Sequence, residues 1–235
     1  MERLSGLLDV LYPPACVGCG TVLPGPAFFC APCAAEVEVT PPTRCPRCAE
    51  PGGLAEGACP RCLAHPPAFT FAFSPFVHGG PVARAIHRFK YEDHPELARP
   101  LAEVLEKEAA PFLAAAGGFA LSAIPLHEKR FRERRYDQAQ LLCAELARKW
   151  RGPMLTDALE RVRETERQVG RTDAERERNV AGAFKARGPL GGRRVLLVDD
   201  VFTTGATARA ATAALLEEGA VEVRVLTLAR ANLLG

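Results

Sequence analysis

The sequence predicts an α/β fold in two parts: a parallel sheet with helices on both faces, preceded by a small cysteine-rich module. Three observations carry this reading. Eight of the nine cysteines fall within the first 62 residues, as four CxxC pairs. From residue 67 onward, short apolar runs alternate with stretches of helical periodicity, as in a sheet threaded by crossover helices. One of those runs, residues 195–198, ends in two adjacent acids followed by Thr-Thr-Gly. That order of strand, polar loop and helix is where open α/β sheets bind ligands.

Composition agrees. The 235 residues are 48% hydrophobic and 25% charged, which excludes wholesale disorder. Thirty Lys and Arg face 28 Asp and Glu, for a net charge of +2. Such a balance excludes a whole-chain nucleic-acid coat or polybasic anchor, so any basic site must be local.

Residues 1–14 include Glu2 and Asp9 and lack the basic-then-apolar order of a signal peptide. Leu4, Leu7, Leu8 and Leu11 fit a short amphipathic helix that docks on the rest of the protein. The uncharged stretch 109–126 approaches membrane-spanning length, but Pro111, Gly117, Gly118 and Pro125 break it. It reads as a helix end, a turn and a buried strand. The expected location is therefore the cytoplasm, with no membrane span.

The cysteine pairs are Cys16/Cys19, Cys30/Cys33, Cys45/Cys48 and Cys59/Cys62. A shift of 29 residues carries the first two pairs onto the last two, so each half is C-x2-C-x10-C-x2-C. A CxxC turn aims two thiolates at one point, and two turns complete a tetrahedral Zn²⁺ shell with bonds of about 2.3 Å. Four thiolates leave no open position, so two structural Zn²⁺ sites are expected. Disulfides need an oxidising compartment, iron–sulfur ligands are spaced less evenly, and thioredoxin-like motifs occur singly. Sequential quartets explain the repeat most simply, and a crossed grouping of first pair with third satisfies the same spacing. Cys143 sits among Ala139, Leu142, Leu146 and Trp150 at helical spacing and reads as a buried small hydrophobe. Residues 1–66 hold four basic and six acidic side chains, and each Zn(Cys)₄ centre adds a charge of about −2. That surface repels phosphate and suits protein docking.

Residues 1–66 are thus read as the zinc module, ending at a His65-Pro66-Pro67 linker, and 67–235 as the α/β domain. Within the latter, 69–77 alternates and belongs at a sheet edge. Val82, Ala85, Ile86 and Phe89 mark one helix, and Leu97, Leu101, Val104, Leu105 and Phe112 another. Residues 119–125, 155–162, 195–198 and 221–228 read as strands. Between 161 and 178 the chain is dense in mixed charge, a surface loop that can close as a lid carrying Gln168, Arg171 and Arg178.

Two stretches carry the chemistry. After the strand at 195–198, Asp199 and Asp200 suit the vicinal hydroxyls of a ribose, directly or through Mg²⁺. The backbone of Thr203, Thr204, Gly205, Ala206 and Thr207 then opens a helix whose N-terminus cradles a phosphate. Gly205 permits close backbone approach. After the strand at 119–125 come Lys129, Arg130, Arg132, Arg134 and Arg135, with Glu133 the single acid among them. Lys129 and Arg130 lie nearest the strand and are the best-placed partners for a second phosphate group. A solvated basic helix start and a nucleic-acid-facing patch share this composition.

Residues 195–207 resemble the 5-phosphoribosyl-1-pyrophosphate (PRPP) motif of type I phosphoribosyltransferases at all thirteen positions, with Phe202 where a smaller aliphatic residue is usual. Residues 123–138, AIPLHEKRFRERRYDQ, resemble the signature of the ComF (late-competence) family, whose members also begin with CxxC pairs. The segment 86–91, ending in Lys90 and Tyr91, is similar to that family's Lys-Tyr element, and Thr165, Gln168 and 178–180 to its long loop. The resemblance spans essentially the whole chain. It departs at Arg135-Tyr136-Asp137-Gln138, where the family usually has Gly-Phe-Asn-Gln. Loss of Gly is expected to alter the turn, and Asp137 to add negative charge beside the pyrophosphate.

The resemblance implies a type I phosphoribosyltransferase-like sheet, PRPP as ligand with Mg²⁺, and a role in handling incoming single-stranded DNA during transformation. It also implies a competence helicase as partner. Two other functions fit the same residues. One is an active phosphoribosyltransferase in which Asp199 and Asp200 stabilise charge developing on the ribose. The other is a nucleic-acid-binding adaptor using Arg132, Arg134 and Arg135, whose binding would depend steeply on salt.

Overall fold

The computed structural model describes residues 13–52, 54, 57–164 and 179–231. The expected helix bearing Leu4, Leu7, Leu8 and Leu11, and the loop residues Gln168, Arg171 and Arg178, lie outside the described residues.

Seven strands are described: β1 (Phe71–Phe73), β2 (Phe76–Val77), β3 (Phe119–Ala123), β4 (Leu159–Arg161), β5 (Phe184–Ala186), β6 (Arg194–Phe202) and β7 (Glu222–Arg230). Five of them form one parallel sheet in the order β1-β7-β6-β3, with β2 also on β7. The central strand β6 is apolar because both its faces are covered: Val195, Leu196, Leu197 and Val198 are all fully buried. Leu196 and Val198 face one core, with Leu226, Leu121 and Phe119. Val195 and Leu197 face the other, with Val223 and Val225. The alternation is the two-residue period of a strand with a core on each side.

The α-helices lying wholly within the described residues are α1 (Ala31–Glu36), α2 (Pro60–Ala64), α3 (Gly80–Tyr91), α4 (Ala98–Glu108), α5 (Ala110–Ala115), α6 (Glu128–Arg134), α7 (Gln138–Trp150) and α8 (Ala206–Glu217). Apolar residues of α3, α4, α5 and α7 fill the first core, including Phe89, Leu105, Phe112 and Leu142. Ala208, Ala211 and Leu215 of α8 fill the second, beside β4 and β5. The helix expected from Leu97 to Phe112 is divided. Pro111 cannot donate a backbone hydrogen bond and opens α5 at its first turn instead of continuing α4. No described helix is long and apolar enough to cross a membrane.

The strand expected at 155–162 is also corrected. Residues 153–155 run beside β3, where the Leu121 N–H donates to the Pro153 carbonyl and the Leu155 N–H to the Leu121 carbonyl, both at 2.8 Å. Asp157 then adopts a left-handed φ of 58°, which ends the extended run. β4 follows and pairs antiparallel with β5 in a separate ribbon. Periodicity marks an extended segment but not its partner.

The cysteine-rich segment lies against this domain. The Thr40 N–H donates to the Pro75 carbonyl, the Val77 N–H to the Glu38 carbonyl and the Ala72 N–H to the Arg47 carbonyl, at 2.8, 2.9 and 2.8 Å. Cys45, Cys48, Cys59 and Cys62 share the second core with Phe69, Phe202 and Ala208.

Candidate functional site

The eight cysteines of the pairs fall into two groups, Cys16/Cys19/Cys30/Cys33 and Cys45/Cys48/Cys59/Cys62, with all Sγ atoms of each group within 4.8 Å of one another. The quartets are sequential, not crossed. Four sulfurs around Zn²⁺ sit about 3.8 Å apart when each bond is about 2.3 Å. Cys19 and Cys30 lie 3.7 Å apart, and Cys48 and Cys59 3.5 Å. These separations fit a tetrahedral metal shell and are far longer than a disulfide of about 2.05 Å. Within each knuckle the chain reverses tightly: Gly20 N–H donates to the Cys16 carbonyl and Ala49 N–H to the Cys45 carbonyl.

The thiols of a quartet resist ionising together. Hydrogen bonds from the Thr21 hydroxyl and amide draw Cys19 down to about 6, and burial pushes Cys33 up to about 12. A hydrogen bond with Cys62 draws Cys48 down to about 6, and the same bond pushes Cys62 up. Held by these four cysteines, Zn²⁺ would favour the thiolate form of each. Cys143 is buried in α7, apart from both quartets, and burial pushes it up to about 12.

The second centre stands at the carboxyl end of β6. Gly205 caps α8 with a left-handed φ of 79°. A Cβ there would come within 2.6 Å of the Phe202 ring, so only glycine fits both the turn and its neighbour. Thr204 is buried, its hydroxyl accepting from the Ala206 N–H at 3.4 Å. Thr203 and Thr207 are half-buried and line a cleft of about 190 Å³ with Asp199 and Asp200. The N–H groups of a helix's first turn have no intrahelical acceptor, and here they begin at that cleft.

The cleft also has a cationic wall: Lys90, Arg130, Arg134 and Arg161. Lys90, in the last turn of α3, places its ammonium 2.6 Å from Asp200 Oδ1. Arg134 donates to the Tyr91 hydroxyl at 3.1 Å and lies over that ring at 4.7 Å. Arg161 reaches in from β4, stacked over Phe184 at 5.2 Å, and burial lowers it to about 10. Asp199 Oδ1 accepts from the Asp200 N–H at 2.8 Å. Burial and the negative charge of Asp200 push the Asp199 carboxyl up to about 8, against the pull of Lys90. A neighbouring cavity of about 380 Å³ shares Lys90, Tyr91, Arg130 and Arg134 as walls. The arrangement can hold an anion at the helix N-terminus, hydroxyls at the carboxylates and a second anion at the cationic wall.

The two sequence-derived stretches therefore meet at one cleft. Asp199, Asp200, Thr203, Thr207 and Arg130 line it, while Gly205 and Ala206 shape the turn behind it. Lys129 is turned elsewhere, 2.8 Å from Glu164 and exposed. Arg161, on β4, carried no motif and was missed. Lys90 was visible only as part of the Lys-Tyr segment.

At the family departure, Arg135 itself takes the left-handed conformation, φ 67°, and caps α6. Arg135 thus adopts a backbone conformation that Gly reaches without strain. Asp137 is buried, and its carboxylate accepts from the Leu126 N–H at 2.7 Å and the Gln140 N–H at 3.1 Å. It caps α7, and its charge adds to the burial and the Asp200 charge that raise Asp199.

Family models match both parts of the chain. A double zinc ribbon domain matches residues 7–63, and a phosphoribosyl transferase domain matches 142–233. The DNA utilization protein YhgH of Escherichia coli K12 is 31% identical over 205 residues, covering 86% of this chain and 90% of that protein. Competence protein F of Haemophilus influenzae is 30% identical over 209 residues, with the same two coverages of 86% and 90%. Competence protein ComFC of Bacillus subtilis is 34% identical over 116 residues, 48% of this chain and 45% of that one. Among solved structures, the glutamine PRPP amidotransferase of Bacillus subtilis is 26% identical and covers 55% of this chain and 25% of that one, with a TM-score of 0.37. Zinc ribbons in front, a phosphoribosyl transferase domain behind, and relatives matched along most of both chains make this protein a member of the ComF, or late-competence, family.

Proposed function

We propose that the protein binds PRPP at the cleft between β6 and α6 and supports the handling of incoming single-stranded DNA in the cytoplasm. The observation that carries the first part is the meeting of three chemistries in one cleft: a helix N-terminus, a carboxylate pair and a cationic wall. The 5-phosphate is assigned to the Thr203–Thr207 turn and the ribose hydroxyls to Asp199 and Asp200. The pyrophosphate is assigned to the Arg130 side, with Lys129 next to it in sequence. Mg²⁺ is a hard cation that takes carboxylate and phosphate oxygens, and the donor set here suits it; when bound with PRPP it supplies charge neutralisation at the pyrophosphate. Asp199 and Asp200 hold the sugar, and the cationic wall orients the leaving end. The relatives' names, DNA utilization protein and Competence protein, support the DNA role. The zinc module is the assigned docking surface for a competence helicase.

Isothermal titration of the zinc-loaded protein with PRPP and Mg²⁺ tests the ligand. Heat of binding, lost in Asp200→Asn, is expected. A folded, zinc-loaded protein that gives no heat overturns the reading.

A second reading, turnover of PRPP with a nucleophilic acceptor, is favoured by the adjoining cavity of about 380 Å³, which leaves room beside the cleft. It predicts pyrophosphate release with one acceptor in a nucleobase screen, and loss of that release in Asp200→Ala.

A further inference from the structure

The structure assigns Glu50 and Arg230 a shared role as positioning residues that tie the second cysteine quartet to the Thr203–Thr207 turn, so that the metal-held knuckle sets how firmly the turn is held. This rests on the reading of that turn as a phosphate site.

Arg230 ends β7, and its side chain is fully buried. The guanidinium lies over the Phe202 ring at 4.7 Å and donates to the Phe202 carbonyl at 3.1 Å and to the Thr203 carbonyl. It also pairs with the Glu50 carboxylate, itself buried. Glu50 stands two residues beyond Cys48, and its own carbonyl accepts from the Cys45 N–H at 2.8 Å, closing the knuckle. One side chain therefore joins a metal-ligand loop to the ligand turn.

Burying a guanidinium is costly unless its donors are paired; here Nη1 and Nη2 find acceptors while Nε is buried without one, so the bonds that Nη1 and Nη2 make hold their acceptors in place. The backbone acceptors are the carbonyls of Phe202, the last residue of β6, which also accepts from the Ala231 N–H at 2.9 Å, and of Thr203, the first residue of the turn. A trans peptide points its N–H opposite to its C=O. Holding the Phe202 and Thr203 carbonyls toward Arg230 thus aims the N–H groups of Thr203 and Thr204 away from it. An apolar pair of equal volume would fill the same space but would not orient those peptides.

The first quartet is tied to a different element. Arg84 donates to Cys33 Sγ at 3.6 Å, and Arg88 to the carbonyls of Cys16 and Val17 at 3.2 and 3.0 Å. Both arginines belong to α3, and neither touches the turn. The two zinc sites are therefore distinguishable in experiment.

The test uses full-length, zinc-loaded protein and two readouts: hydrogen exchange of residues 202–207 and PRPP·Mg²⁺ affinity. Glu50→Gln, with both metals retained by elemental analysis, is expected to speed exchange of that segment and weaken PRPP, each about tenfold, since one charge-assisted bond is lost. Exchange of 195–198 should not change, and Glu50→Asp should recover part of both effects. Wild-type rates and affinity in Glu50→Gln overturn the proposal. If Glu50→Gln does not fold, Cys48→Ser and Cys19→Ser decide the matter: faster turn exchange in the first alone supports it, and equal effects overturn it. A wild-type protein that binds no PRPP removes the phosphate reading, while the exchange rates still judge the tie.

Discussion

The ammonium nitrogen of Lys90 lies 2.6 Å from Oδ1 of Asp200, with 19% and 10% of the two side chains exposed. The last turn of α3 is thereby tied to the carboxyl end of β6, and a helix whose apolar face lies in the first core brings a cation to the ligand cleft. Removing one partner of a buried pair leaves the other without compensation. Lys90→Met should therefore cost about 1–3 kcal/mol in urea unfolding and at least about tenfold in PRPP affinity. The double variant Lys90→Met/Asp200→Asn should regain the stability without regaining the binding. Full binding by Lys90→Met would remove Lys90 from the site.

Asp199 gives a pH dependence with a defined sign. Its carboxyl rises from the ordinary 3.8 to about 8 in the folded protein through burial and the charge of Asp200. Between those values the folded state holds a proton that the unfolded chain has lost, so unfolding releases it and stability falls as pH rises. The loss accumulates from about pH 4 to about pH 8 and then levels off. Asn cannot ionise, so the melting temperature of Asp199→Asn relative to wild type should climb across that window by calorimetry. A difference that stays flat would show that Asp199 is already ionised at low pH.

Gly205 is the narrowest point of the turn. Its φ of 79° and the 2.6 Å approach of a built Cβ to the Phe202 ring act together. Gly205→Ala should destabilise by about 1–3 kcal/mol and weaken PRPP by displacing the Thr203–Thr207 amides. Chemical denaturation and titration read the two effects separately. Phe202→Leu in the same background removes the ring edge, leaves the φ penalty and should recover part of the stability.

Local signals were the legible ones. A CxxC turn and a run of four buried aliphatics followed by Asp199 and Asp200 are each written within a few residues, so the metal ligands, β6 and the ligand turn could be read directly. Quartet grouping was partly legible: the 29-residue repeat favoured the sequential quartets that form, while the spacing alone admitted a crossed pairing. Arg161 enters the cleft from a ribbon whose partner strand, Phe184–Ala186, follows a long polar stretch. Its placement depends on a pairing that periodicity does not encode. The charge that Asp137 adds beside the cleft was legible, and it bears on Arg161 and Asp199; its capping bonds to the Leu126 and Gln140 amides were not. The Glu50–Arg230 pair joins opposite ends of the chain and leaves no local pattern.

Arg135 holds a left-handed φ of 67° with its side chain largely exposed. An L-residue in that region bears a cost of about 1 kcal/mol that glycine avoids. Arg135→Gly should therefore raise stability by about 0.5–1 kcal/mol in urea unfolding, the lost side chain having only an exposed partner, Asp93 at 3.9 Å. A neutral or negative change would mean that the gain in freedom of the unfolded chain outweighs the relief of strain.

Metal stoichiometry separates the two knuckles. Sequential quartets predict two Zn²⁺ per chain, one lost in Cys19→Ser and the other in Cys48→Ser, with Cys143→Ser retaining both. The stability costs should differ. The first quartet includes the exposed Cys19 and forms a small cluster of its own with Leu23. The second is wholly buried and packs in the core with Phe69, Phe202 and Ala208. Loss of the first metal should loosen that knuckle while the sheet survives. Loss of the second exposes the β6–α8 core and should lower the melting temperature of the whole domain. Calorimetry of the two variants measures this directly, and equal, small shifts would show that the second quartet is attached to the core without supporting it.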